Sequence, residues 1–146
     1  MIVPDINLLL YAYDDRSRYH SVARDWWQET LSGGRRVGLT WHTMLGFIRL
    51  TTNPRLFDFP MSAADAIQVV RSWLDQPAVE ILSPGERHGD IVFGLIEEAG
   101  AAGNLTSDAH LAAIAIEHQA ELASADRDFG RFEGLRCFNP LSVKSR

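Results

Sequence analysis

Short apolar runs alternate with stretches of helical periodicity along this chain. Residues 2–4, Ile-Val-Pro, predict a buried strand that ends at Asp5, and Asn7 is placed to cap a helix over residues 8–13. A second helix fits residues 17–31 and stops at Gly33-Gly34. Residues 36–40 read as a strand, and Thr40 caps a helix from Trp41 to about Thr51, which Asn53-Pro54 breaks. Ser62 with Asp65 forms a capping-box pattern, and Ala63, Ala66, Ile67, Val70, Trp73 and Leu74 make an apolar stripe behind it. Pro77 ends that helix, and residues 79–82 make a third strand. Helices over 86–100 and 107–119 follow, separated by Gly103-Asn104, the second carrying Leu111, Ile114, Ala115 and His118 on one face. Residues 121–125 predict a fourth strand and 135–138 a short fifth.

Strands separated by helices imply an α/β three-layer sandwich, with a central, mainly parallel sheet of four to five strands between helical layers. No repeat or linker interrupts the pattern, so residues 1–146 are expected to form a single domain. In such sheets ligands meet loops and helix N-termini beyond the carboxyl ends of the strands.

Composition narrows the picture. The chain has 146 residues, 46% of them hydrophobic, and a formal net charge of −5, as in a globular protein. No apolar run approaches the ~20 residues that cross a bilayer, and Met1-Ile2-Val3-Pro4-Asp5 lacks the basic start of a signal peptide, so a cytoplasmic location without membrane contact is expected. Cys137 is the single cysteine, which excludes an internal disulfide framework and a multi-Cys zinc site. Lys144 is the single lysine, which argues against a P-loop or Schiff-base enzyme. The charge is also uneven: residues 1–126 carry 9 basic and 17 acidic side chains, residues 127–146 carry 5 and 2. An acidic body means ordinary solubility, or carboxylates gathered around a metal.

The aspartates bear on that choice. Asp5 ends the first strand, Asp108 lies in the first turn of a late helix, and Asp126 ends the fourth strand, with Asp128 two residues on. Each alone has a plain reading as a turn residue, a partner for a helix dipole or a solvated charge. Together they fall on one predicted edge of the sheet. Carboxylates within ~4–6 Å of one another repel and hold their protons more tightly unless a cation lies among them. Hard, oxygen-ligated Mg²⁺ or Mn²⁺ suits such a set and can activate water at a phosphodiester.

These residues resemble a known family. The opening MIVPDINLLLYAY is similar to the hydrophobic strand, Asp-x-Asn/Ser and Leu-rich helix of PIN-domain ribonucleases, in particular the VapC toxins of VapBC toxin–antitoxin modules. The segment TSDAHLAAIAIEHQAELASADRDFGRF resembles that family's second half, where an Asp opens an Ala-rich helix and a strand leads into Thr/Ser-x-Asp-x-x-Phe, matched by Ser124, Asp126 and Phe129. TWHTMLGFIRLTTNPRLF is similar to the middle segment of one VapC subgroup. The resemblance implies a PIN-like fold and a Mg²⁺-dependent endoribonuclease that leaves 5′-phosphate and 3′-hydroxyl ends, neutralised by a VapB-type antitoxin. It implies that Asp5, Asp108 and Asp126 are metal-site carboxylates, that Asn7 orients the first, that Ser124 supports it, and that Asp128 assists.

One departure stands out. Counting from Thr40, the family's further Glu falls on Gly46, which puts a second tightly held metal in doubt and suggests close packing or free space there. The missing acid also keeps open a non-catalytic PIN-like module that binds RNA or a partner. A phosphatase with Asp5 as nucleophile is disfavoured, because Asn7 stands where its second Asp would be.

Arg49 and Arg127 are the basic residues placed to contact RNA phosphate, or else to form surface ion pairs. His20, His42, His88, His110 and His118 show no metal-ligand spacing. His118 reads as a core or capping histidine, His110 as pointing away from the site on its helix or else reaching substrate, and His42 with Thr43 as a candidate cleft wall. Trp26, Trp27 and Trp73 read as core or dimer contacts, and a homodimer is expected.

Overall fold

A computed structural model describes residues 1–100, 103 and 105–142. Asn104 of the expected helix exit and the lone Lys144 lie outside the described residues. Five parallel strands form one sheet in the order β3-β2-β1-β4-β5. They are β1 (Ile2–Pro4), β2 (Val37–Thr40), β3 (Val79–Leu82), β4 (Glu121–Ala123) and β5 (Arg136–Phe138). Helices α1 (Ile6–Tyr13) and α2 (His20–Ser32) connect β1 to β2, and α3 (Trp41–Thr51) and α4 (Ala63–Leu74) connect β2 to β3. Helices α5 (His88–Ala99) and α6 (Leu105–Glu117) connect β3 to β4, and a 3₁₀ helix, Arg127–Arg131, leads into β5.

The two-residue period of the strands divides the core into two layers. Ile2, Val37 and Leu39 pack with Leu8, Trp27, Phe47 and Trp73 on the α1–α4 side. Val3 and Leu122 pack with Leu95, Leu111, Ile114 and Phe129 on the α5–α6 side. Trp73 meets Phe47 and Trp27 edge-on at centroid distances of 4.7 and 5.6 Å, contacts worth about 0.5–1.5 kcal/mol each beyond their buried area. Its indole N–H donates to the Tyr13 hydroxyl at 3.0 Å. Trp27 and Trp73 are therefore core residues, and the three-layer expectation holds.

Two predicted caps form as read. Thr40 Oγ1 accepts from the Thr43 backbone N–H, and Ser62 Oγ accepts from that of Asp65, both at 3.1 Å. The first cap does not: α1 starts two residues earlier, and its N-cap is Asp5, whose Oδ1 accepts from the Ile6 N–H at 2.7 Å. Asn7 is exposed inside the first turn instead.

Other boundaries move for local reasons. Residues 14–19 fold as turns, with Ser17 N–H on the Asp14 carbonyl and His20 N–H on that of Ser17, so α2 begins only at His20. The Glu117 carboxylate accepts from the backbone N–H groups of Gly85 (2.7 Å) and Arg87 (3.0 Å), holding the residues before α5 as a turn. Helix α6 begins at Leu105 and ends at Glu117, which leaves His118 exposed beyond it, with Nε2 3.0 Å from the Ser83 carbonyl. The chain turns after β4 because Asp126 N–H donates to Ser124 Oγ at 3.0 Å. Cys137 is exposed on β5.

Gly46 is explained by packing. A Cβ built there would lie 2.7 Å from Cδ1 of Ile6, so the glycine lets α3 approach α1.

Candidate metal centre

The strand order reverses beside β1, with β2 on one side and β4 on the other, and the loops leaving β1 and β4 open a crevice at their carboxyl ends. Pro4 pairs with Ala123, and Asp5 N–H continues the ladder onto the Ala123 carbonyl at 2.9 Å. That register sets Asp5 beside Ser124. The Ser124 hydroxyl donates to Asp5 Oδ2 at 2.8 Å, and Ser124 Oγ accepts from Asp126 N–H. Asp126 Oδ1 in turn accepts from Asp128 N–H at 2.9 Å, capping the 3₁₀ helix. Asp108 enters from the first turn of α6.

The three aspartates from separate stretches of chain meet in one cleft of about 220 Å³, walled also by Asn7, His42 and Arg49. Asp5 is only 8% exposed, and burial raises its pKa, with Asp126 adding to the rise, while the bonds from Ser124 and Ile6 oppose it. Asp108 is pushed up to about 6, by burial first and then by the charges of Asp5, Asp126 and Asp128. Carboxylate oxygens of Asp108, Asp126 and Asp128 lie within 4.8 Å of one another. Such crowding, with raised proton affinity, is relieved by a divalent cation, and the oxygen donors suit a hard one. The residues present fit that group.

Several expectations are corrected in detail. Both oxygens of Asp5 are held by Ile6 and Ser124, not by Asn7, which lies on the cleft wall. Thr43 is buried and bonded to Thr40, so His42 alone of that pair lines the cleft. Arg49 also lines it, whereas Arg127 faces a neighbouring groove with Cys137 and Phe138.

Three of the five histidines come together. Nε2 of His88, at the start of α5, lies 3.0 Å from Nδ1 of His110 on α6, the two rings crossing at 83°. His42, at the start of α3, also meets His110 edge-on, with centroids 5.8 Å apart. The ring of His110 packs between helices against these two histidines and is not among the residues that line the cleft. Desolvation and its two histidine neighbours lower its pKa. Three separate helices supply the row, so no spacing in the sequence could have shown it.

A doubly wound parallel sheet with carboxylates converging at its switch point defines the class, and comparison with known proteins supplies the family. Residues 2–135 match the PIN domain. Ribonuclease VapC33 of Mycobacterium tuberculosis is 48% identical over 141 residues, covering 97% of this chain and 99% of the relative. Ribonuclease VapC37 of the same organism is 43% identical over 143 residues, 98% and 99% of the two chains. The chain belongs to the PIN-domain family, among the VapC ribonucleases. Its fold also matches VapBC2 of Rickettsia felis bound to a promoter DNA fragment, with a TM-score of 0.69 at 14% identity and 95% and 98% coverage. VapC20 of M. tuberculosis, described as a sarcin-ricin loop cleaving toxin, gives a TM-score of 0.67 at 16% identity, covering 93% of this chain and 99% of that one. Among the described residues no helix is long and apolar enough to cross a membrane.

Proposed function

We propose that this chain is a Mg²⁺-dependent endoribonuclease, the toxin of a type II toxin–antitoxin pair acting in the cytoplasm, with Asp5, Asp108 and Asp126 as its catalytic carboxylates. The observation that carries this reading is the convergence of those three residues, with Asp128 beside them, in one cleft of a chain 48% identical to a VapC ribonuclease. Asp5, Asp108, Asp126 and Asp128 would hold the cation, Mn²⁺ serving as a substitute. When bound, such a cation supplies activation of water and neutralises charge developing on the scissile phosphate.

The chain's own groups do the rest. Ser124 and the Ile6 N–H fix the carboxylate of Asp5 in one orientation, so a single pattern of lone pairs faces the cleft. Arg49, on the cleft wall, offers a guanidinium to a phosphate oxygen of the RNA, and among the described residues it is the one arginine that lines this acidic site. Gly46, where the family's further acid would stand, does not line the cleft and is accounted for by its contact with Ile6. It therefore gives no support to a non-catalytic module. One cation held by a few carboxylates, water and phosphate oxygens is sufficient. The same acidic cleft suits an Arg side chain of a VapB-type antitoxin, which would occupy the place of cation and phosphate.

Total RNA incubated with the purified protein tests the reading. Cleavage is expected with Mg²⁺ and is expected to vanish in EDTA and in Asp5→Ala. Undiminished cleavage in either case overturns it.

A further inference from the structure

The row His42–His110–His88 begins at the cleft, which His42 lines, and nothing in the proposed chemistry uses it. Its hydrogen bonding fixes the roles of the rings. His88 Nδ1 is buried without a partner among the described residues. A buried N–H left unpaired is rarer and more costly than a bare acceptor, so the proton of His88 belongs on Nε2, donated to His110 Nδ1 across 3.0 Å. His110 then carries its proton on Nε2, which has no hydrogen-bond partner among the described residues. A metal shared by His88 and His110 fits poorly, because it would force that proton onto the buried, partnerless Nδ1.

The row thus presents imidazole rings and, on His110, a directed N–H donor, beside a cleft that His42 lines and that already has Arg49 for phosphate. Flat aromatic faces with a directed donor match an unstacked nucleobase, which stacks on a side-chain ring and is read at its edge. We infer that His42 and His110 form a nucleobase subsite beside the scissile phosphate, with His88 as the residue that positions His110. This rests on reading the carboxylate cleft as the cutting site. The ligand is a base of single-stranded RNA, and the row contributes to which sequence is cut.

The test uses the full chain and fluorescent RNA hairpins whose loops are all A, all C, all G, all U or abasic. Binding is measured by anisotropy with Ca²⁺ replacing Mg²⁺, and the RNA is checked intact on a gel. The wild type is expected to bind at least one loop about tenfold more tightly than the abasic loop, the size of a stacking contact. His42→Ala and His110→Ala are each expected to lose most of that preference while binding the abasic loop as before. His88→Ala should follow His110→Ala, and His88→Gln, whose amide N–H can donate to His110 Nδ1, should restore the preference; thermal melts identify any variant that fails to fold. No base preference in the wild type, preference kept in both His42→Ala and His110→Ala, or equal losses on the abasic loop would each overturn the inference. Asp5→Ala, run in parallel, should keep the base preference and lose cleavage. Cleavage by that variant would instead refute the catalytic reading, leaving the binding result to be judged by itself.

Discussion

The Ser124 hydroxyl donates to Asp5 Oδ2 at 2.8 Å, across 119 residues of sequence. The parallel register Pro4–Ala123 makes the two residues neighbours with side chains on one face of the sheet, and the same oxygen, Oγ, accepts from Asp126 N–H. One hydroxyl therefore sets the positions of two of the three proposed catalytic carboxylates.

Removing it is expected to show this. Ser124→Ala leaves a buried carboxylate oxygen and a backbone N–H without their partner, and groups that orient metal ligands typically matter by about 10–100-fold in affinity or activity. The Mg²⁺ concentration for half-maximal RNA cleavage should rise by that order, and Ser124→Thr, which keeps the hydroxyl, should stay near the wild type. Equal Mg²⁺ curves for Ser124→Ala and the wild type would show that Asp5 is held without it.

Asp108 makes stability depend on pH in the cation-free protein. Its folded-state pKa of about 6 lies above the ordinary carboxylate value of 3.8. Below pH 4 the group is protonated in both states and contributes no difference. Between about pH 4 and 6 the unfolded chain has released a proton that the folded state retains, so stability falls as pH rises and levels off above 6. Asp108 is partly open to solvent, and screening reduces the effect to about 1 kcal/mol. In EDTA at pH 7, Asp108→Asn should melt a few degrees above the wild type, and the gap should close at pH 4. A variant melting lower at pH 7 would mean that the carboxylate is not under repulsion.

Cation binding should carry the same signature with the opposite outcome. Mg²⁺ or Mn²⁺ must displace the proton from Asp108, so apparent affinity measured by calorimetry should rise with pH up to about 6 and then flatten, with proton release at the lower pH values. Mg²⁺ at pH 7 should raise the melting temperature of the wild type and leave that of Asp108→Asn nearly unmoved. Flat affinity between pH 4 and 7 would remove Asp108 from the cation's ligands.

Two glycines separate packing from propensity. A Cβ at Gly38, in the middle of β2, would lie 2.4 Å from Leu82 Cδ1, 2.7 Å from its Cγ and 3.1 Å from Met1 Sδ. Leu82 is buried and has nowhere to turn, so Gly38→Ala should cost about 1–3 kcal/mol in a denaturant melt. At Gly46 the neighbour is only the far end of the half-buried Ile6, which can rotate. The gain of about 1 kcal/mol from replacing glycine in a helix then roughly offsets the shift, and Gly46→Ala should be near neutral. Equal losses at the two positions would contradict this account.

Local chemistry was legible in the sequence because it acts over a few residues. The periods of 2 and 3.6 placed five strands and the helices between them, and Thr40 and Ser62 announced the helix starts that they cap. Apolar strands ending at Asp5 and Asp126, with Asp108 in the first turn of a helix, already pointed to one edge of a parallel sheet. Competition between nearby groups was not legible: Asp5 takes the cap assigned to Asn7 because its Oδ1 reaches the Ile6 N–H directly. Nor was the row of His42, His88 and His110, which exists only because the starts of α3 and α5 are brought against the first turns of α6. The sequence by itself determined the alternation, the caps and the stock of carboxylates, all set by short-range bonding and burial. The strand order placed β4 beside β1, and that tertiary choice decided that Ser124 holds Asp5 and that Asp126 and Asp128 share a cleft with it, while the pairing of β2 with β1 on the other side let Gly46 pack on Ile6. Contacts between residues a hundred positions apart depend on which strands pair and in what register, and no local pattern encodes that.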